Sequence, residues 1–124
     1  MNREEIIQKL KEYKLDINEY IVISGAAMVL YGFKEETRDI DISTTLEYKK
    51  YLLDHFNCEL ENKESDAYMI DNILNFGINY YSEDKIFIDG IPTQKIEDII
   101  KLKKFLNRDK DKKDLQLIYK KKKR

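Results

Sequence analysis

The chain of 124 residues contains one cysteine, one proline, no tryptophan and four glycines. The single cysteine, Cys58, cannot form a disulfide within the chain, which argues against a disulfide-stabilised secreted domain. No apolar run approaches the ~20 residues that cross a bilayer. Met1 leads into an acidic, amphipathic stretch and not into a signal peptide. We therefore expect a soluble cytoplasmic protein with no membrane association.

Neither sign of charge dominates, because 23 basic residues stand against 24 acidic ones and the net charge is -1. There is thus no overall electrostatic case for a nucleic-acid partner or an anionic membrane. The terminal stretch KKKKR, residues 120–124, could contact nucleic-acid phosphates. Blocks of like charge at a chain end are, however, usually solvated, so nucleic acid is only a minor alternative partner.

Apolar residues make up 42% of the chain and include nine tyrosines and five phenylalanines, enough for one hydrophobic core. No repeat, linker or low-complexity segment divides the sequence. We therefore expect a single domain over residues 1–124. It would comprise an N-terminal helix at about 3–14, a core at about 20–92 and C-terminal helices at about 94–121.

The first half of the chain alternates strand and helix signals. Successive apolar residues at 20–23 predict a strand that is buried on both faces. A short buried helix at 26–30 should follow, with Gly32 closing it. A second strand at 38–43 then leads to a helix that Thr44 is predicted to cap.

Two turn signals in the second half predict β-hairpins. The pairs Asp71-Asn72 and Asp89-Gly90 each lie between two apolar runs, as hairpin turns do. Thr93 is then expected to cap a helix that ends near Asn107, and a last helix follows it.

Two acids stand one residue apart in the stretch RDIDIS, residues 38–43. Side chains two positions apart share one face of a strand, so Asp39 and Asp41 should project together. Ionised carboxylates are costly to bury, and a divalent cation such as Mg²⁺ would offset that cost. The alternative is a solvated acidic face on an edge strand, and the motif alone does not decide between them.

A small turn precedes these acids. At Ser24-Gly25, backbone amides that open a helix could meet phosphate oxygens without obstruction by a Cβ atom. The order of strand, small turn, helix and Asp-x-Asp strand resembles the DNA polymerase β-like nucleotidyltransferase superfamily. The resemblance is to its minimal and abortive-infection-type bacterial members, and the matching residues are Ser24, Gly25, Thr37, Asp39 and Asp41.

A second block is similar to the end of the same proteins. It is the stretch IPTQKIEDIIKLKKFLNRDKDKKDL, residues 91–115. The matching positions are Lys103, Arg108, Lys110, Asp111 and Asp114. The resemblance implies an α/β (α+β) nucleotidyltransferase fold, in which a small mixed β-sheet is flanked by helices and followed by C-terminal helices.

The resemblance also implies an activity. The protein would transfer a nucleoside monophosphate from an NTP to an acceptor hydroxyl. Asp39 and Asp41 would hold Mg²⁺ or Mn²⁺, while Ser24 and Gly25 would bind the phosphates. The acceptor itself is unknown, and a homodimer or a small helical partner, as in a toxin-antitoxin or phage-defence pair, could complete its site.

Two basic residues of the second block belong to the implied nucleotide site. Lys103 and Arg108 would support the triphosphate, Arg through a two-pronged contact and Lys as a point charge. The alternative is that both residues pair with acidic neighbours on a charged helix.

One position departs from the pattern of active relatives, which carry a third carboxylate on the next strand. Aligning FGINYY, residues 76–81, with that strand puts Asn79 in the place of the acid. Asparagine can offer an oxygen to a metal, but it has no ionised form and cannot act as a general base. Asp71 or Asp89 could approach the site instead, although turn roles suit both better. The alternative function is a catalytically lapsed module that binds nucleotides or a protein.

Overall fold

The computed structural model describes residues 1–122, which form five helices and seven strands. The helices are α1 (Arg3–Tyr13), α2 (Ser24–Leu30), α3 (Leu46–His55), α4 (Ile96–Leu106) and α5 (Asp109–Lys122). The strands are β1 (Tyr20–Ile23), β2 (Ile40–Thr44), β3 (Cys58–Asn62), β4 (Ala67–Ile70), β5 (Leu74–Gly77), β6 (Lys85–Ile88) and β7 (Ile91–Gln94). The prediction for the terminal basic stretch falls in part on Lys123 and Arg124, which lie outside the described residues.

The seven strands form one mixed sheet in the order β3-β4-β5-β2-β1-β7-β6. Strand β1 pairs antiparallel with β2 and parallel with β7, and β2 pairs parallel with β5. Strand β1 is buried at all four positions, as its unbroken apolar sequence predicts for a strand covered on both faces. The Asp-x-Asp segment thus lies near the middle of the sheet and not at an edge.

The first half of the chain follows the predicted order with two shifts. Helix α2 begins at Ser24, two residues before the predicted start, and Gly32 follows it with a φ of +85°. Thr44 does not cap α3, because it is the last residue of β2. Thr45 is the cap, and its hydroxyl accepts a hydrogen bond from the Tyr48 amide at 3.1 Å.

Both predicted hairpins are present. Asp71 and Asn72 each have a φ of 56°, and Asp89 and Gly90 have φ values of 50° and 79°. Positive φ at both central residues is the geometry of a type I′ turn, which matches the twist of the flanking strands. These acids are therefore turn residues, as their positions in the sequence favoured.

The start of α4 corrects another prediction. The Thr93 hydroxyl donates to the Ile91 carbonyl at 2.9 Å within β7, so Thr93 does not cap the helix. Lys95 occupies the cap position without a side-chain hydrogen bond. The helix ends at Leu106, and Asn107 caps it in the left-handed conformation with φ 49°, which agrees with the predicted end near Asn107.

Buried residues of all five helices belong to one hydrophobic cluster with the central strands. Ile6 of α1, Leu52 of α3, Ile99 of α4 and Ile118 of α5 are each at most 2% exposed. In the part of the chain that the structure describes, none of the helices has the length and apolar character that crossing a membrane requires.

Candidate active site

A cavity of about 350 Å³ lies against the central strands. Its walls come from β2, β5, the loop after β5, the β3–β4 turn and the junction between α4 and α5. Asp41 is the one carboxylate among the lining residues, and the cations are Arg108 and Lys110. The other polar lining residues are Ser24, Ser43, Asn62, Ser65, Asn75, Asn79 and Tyr80.

Asp41 is the second residue of β2, and Asp39 directly precedes that strand. Partial burial raises the pKa of the Asp41 carboxyl from 3.8 to about 6, and the negative charge of Asp39 adds to the rise. The ammonium group of Lys110 acts in the opposite direction. The partly dehydrated carboxylate of Asp41 thus has a negatively charged neighbour in Asp39, which is not itself a wall residue of the cavity, and this arrangement favours a bound cation.

The Ser24-Gly25 turn is packed against the loop that leads to β2. Ser24 has a φ of 60°, which is uncommon for a residue other than glycine. A Cβ atom on Gly25 would lie only 3.0 Å from Thr37 Oγ1, so the absence of a side chain permits this contact. The Thr37 hydroxyl donates to the Asp39 carbonyl at 3.2 Å. Gly25 and Thr37 thereby hold the turn and the first acid together.

The structure places Asn79 outside the strand with which the sequence alignment associated it. Strand β5 ends at Gly77, so Asn79 lies in the following loop and not in the strand. Asn75 is the residue of β5 that pairs with Asp41 in the parallel ladder. Paired residues on neighbouring strands point to the same face of a sheet. An amide side chain still stands beside Asp41, but Asn75 supplies it.

Asn79 nevertheless lines the cavity, where its Nδ2 lies 3.5 Å from the Ser65 carbonyl. Asp71 and Asp89 do not approach it. Asp71 accepts a hydrogen bond from the Tyr13 hydroxyl at 3.0 Å, and Asp89 pairs with Arg3 at 2.5 Å. Over residues 1–122, His, Cys, Asp and Glu side chains form no cluster of three or more that could hold a metal.

Lys103 and Arg108 belong to one ion-pair network but differ in position. Asp111 is fully buried, 2.7 Å from Arg108 Nε and 3.7 Å from Lys103 Nζ. Lys103 Nζ donates to Asp114 at 2.9 Å, and Asp114 also pairs with Lys34. Hydrogen bonds from Arg108 hold the pKa of Asp111 below its usual value. Arg108 is half exposed and lines the cavity, whereas the buried Lys103 is not one of its wall residues.

Asn75 and Tyr80 are among the polar wall residues that had no assigned role in the sequence analysis. Asn75 could have been recognised from the alternation Leu74-Asn75-Phe76, whose apolar members are fully buried. Tyr80 gives no such signal, because its position depends on how the chain leaves β5.

No family model matches this chain, and no curated protein matches it. Among solved structures, it is similar to the crystal structure of a putative nucleotidyltransferase from Thermotoga maritima, with a TM-score of 0.61. The match covers 98% of this chain and 96% of that one at 19% sequence identity. The chain therefore shares the fold of that structure, with a mixed seven-stranded sheet and five helices over the described residues.

Proposed function

We propose that this protein is a nucleotidyltransferase that transfers a nucleoside monophosphate from an NTP to an acceptor hydroxyl. The observation that carries the proposal is the position of Asp41. Its carboxylate lines the cavity close to Asp39, on a central strand of a nucleotidyltransferase fold. Neighbouring carboxylates in a partly buried cleft are suited to functional chemistry more than to stability.

The residues at this position fit a hard divalent cation. Two carboxylates and the amide of Asn75 offer oxygen ligands. Burial, and then the charge of Asp39, raises the pKa of Asp41, and a bound cation would offset both effects. We propose that Asp39 and Asp41 hold Mg²⁺ or Mn²⁺. When bound, such an ion would neutralise negative charge on the phosphates and the leaving pyrophosphate.

The remaining side chains position the nucleotide in this proposal. Ser24 would donate its hydroxyl to a phosphate oxygen, and Gly25 keeps the turn close to Thr37. Arg108 would contact the triphosphate from the α4–α5 junction, with Asp111 fixing its guanidinium. In this proposal Lys103 helps to hold Asp111 and does not contact the phosphates, because its ammonium already pairs with Asp111 and Asp114.

The first test is ATP binding by calorimetry with and without Mg²⁺. We expect metal-dependent binding that the double variant Asp39→Asn, Asp41→Asn loses. Asp54→Asn, an exposed acid on α3, is the control and should bind as the unaltered protein does. Undiminished binding by a cooperatively folded double variant would contradict the proposed site.

The second candidate function is a catalytically lapsed domain, and Asn75 is the observation that favours it. Its amide stands in register with Asp41 and cannot accept the proton of an acceptor hydroxyl. If the missing acid is what prevents turnover, Asn75→Asp should create pyrophosphate release from NTP. Asn79→Asp is the matched control, because it adds the same charge to the same cavity outside the strand. Measurable and equal turnover by the unaltered protein and by both variants would exclude a catalytically lapsed domain.

The partner and the acceptor remain proposals as well. A second copy of the chain or a small helical protein could complete the acceptor site, as in a toxin-antitoxin or phage-defence pair. Light scattering on the purified protein would test the first possibility, and co-expression with the product of the adjacent gene would test the second.

A further inference from the structure

Tyr80 is a large aromatic side chain left exposed at a cavity wall. Its side chain is 42% exposed, and it lines the same cavity as Asp41 and Arg108. The neighbouring Tyr81 is held differently, because its hydroxyl donates to the Asn18 carbonyl at 3.1 Å. The Tyr80 ring is therefore available at the cavity wall, whereas the Tyr81 side chain is held by a hydrogen bond to the loop that contains Asn18.

A buried hydrogen-bond relay fixes the position of Tyr80. Its backbone N–H donates to Ser43 Oγ at 3.0 Å, and the Ser43 hydroxyl donates to the Gly77 carbonyl at 3.3 Å. Ser43 is 1% exposed and lies two residues after Asp41 on β2, so both side chains share a face of the sheet. The loop after β5 is thus anchored to the strand that carries the candidate metal ligand.

The chemistry around the ring suits a heteroaromatic base. Asn62, Ser65 and Asn79 line the cavity with Tyr80. The Asn62 Oδ1 already accepts the backbone amides of Glu64 and Ser65, so Asn62 offers its amide N–H groups. The Ser65 hydroxyl can donate or accept, and the Asn79 Oδ1 can accept. A tyrosine face stacks on any nucleobase, and the gain grows with the overlapping area. Purines offer more overlap than pyrimidines.

We propose that Tyr80 is the stacking platform for the nucleobase of the bound nucleotide and gives the site a preference for purine nucleoside triphosphates. This inference rests on the proposed function, and it names the substrate class that the same cavity selects. Ser43 acts as the positioning residue, since it holds the backbone from which the ring projects.

The test compares four probes by calorimetry in the presence of Mg²⁺: ATP, GTP, CTP and inorganic tripolyphosphate, which has no base. We expect the affinities for ATP and GTP to exceed the affinity for tripolyphosphate by about tenfold or more. They should also exceed the affinity for CTP. Tyr80→Ala should lower the affinity for ATP to nearly that for tripolyphosphate, and it should leave the affinity for tripolyphosphate unchanged. Tyr80→Phe keeps the ring and should bind ATP normally. Tyr119→Ala, which removes an exposed tyrosine of α5, is the control.

The outcomes separate this inference from the function on which it rests. Equal affinity for ATP and tripolyphosphate, or undiminished ATP binding by Tyr80→Ala, would overturn the stacking role while the metal and phosphate site stands. A preference for CTP over ATP would overturn the purine selection. Failure of all four probes to bind would overturn both proposals together.

Discussion

At the scale of the residue, Asp41 links stability to function. Its folded-state pKa of about 6 lies above the unfolded value of 3.8, so the folded protein holds this proton more tightly. The stability contributed by the proton is complete below pH 3.8 and is lost as the pH rises through 6. The ionised carboxylate therefore destabilises the metal-free protein at neutral pH.

We accordingly predict that Asp41→Asn stabilises the metal-free protein, by about 2–3 kcal/mol at pH 8 and by almost nothing at pH 4. The amide keeps the shape of the protonated acid and never ionises. Urea denaturation at the two pH values measures the difference, and Asp54→Asn serves as the exposed control. A stability gain of the same size at pH 4 and pH 8 would contradict the assignment.

Residue identities at the site were more predictable than residue positions. The spacing of Asp39 and Asp41 alone does not distinguish a metal site from a solvated acidic face, and the resemblance of the whole stretch to nucleotidyltransferases is what makes them candidates. The pairing of Asn75 with Asp41 depends on where β5 begins, which the sequence does not show, and the alignment of FGINYY selects Asn79, four residues further along the chain. The sequence leaves open whether Lys103 contacts phosphates or pairs with an acid, and the structure pairs its buried ammonium with Asp114.

At the scale of the element, the junction of α4 and α5 depends on one buried carboxylate. Asp111 accepts the Arg108 backbone amide at 3.1 Å and both prongs of its guanidinium, at 2.7 and 3.2 Å. Lys103 approaches the same acid from α4. The acid therefore fixes the start of α5 and the direction of Arg108 together.

We predict that Asp111→Ala lowers the free energy of unfolding by about 3 kcal/mol, because it leaves a buried cation with less compensation. Asp109→Ala removes an acid from the same helical turn, but an exposed one, and should cost less than about 1 kcal/mol. Urea denaturation of the two variants gives the comparison. Similar losses for both would show that the network adds little beyond ordinary helix-terminus electrostatics.

Elements with a strong local signal were predicted, and elements without one were not. The type I′ turns and strand β1 are each predicted by the residues that form them: Asp-Asn and Asp-Gly pairs for the turns, and an unbroken apolar run for the strand. Strand β3 was missed because its sequence, CELEN, is mostly exposed and charged, and only pairing with β4 makes it a strand. Thr93 is a residue type that often caps helices, but β7 continues to Gln94, and the Thr93 hydroxyl donates to the Ile91 carbonyl of the same strand.

At the scale of the whole molecule, distant parts of the sequence meet at one cavity. Asp41 and Arg108 are far apart in the chain, yet both line it. Agreement of two separated motifs is what made the fold predictable. The order of the seven strands was not predictable, since parallel pairing of β1 with β7 and of β2 with β5 joins segments that no local pattern connects.

The meeting of these segments at one cavity predicts which of them will open less often when a nucleotide is bound. Mg²⁺ and ATP would link the turn at Ser24, the loop at 31–39, the loop at 78–81 and the α4–α5 junction. Local opening of these segments should become rarer, because a ligand that binds only the closed state adds its binding free energy to the cost of opening. Hydrogen exchange followed by mass spectrometry should therefore show new protection in these segments and none in the edge strand β6, which is remote from the cavity lining. The Asp39→Asn, Asp41→Asn variant should show no gain, and protection that appears first in β6 would place the nucleotide elsewhere on the molecule.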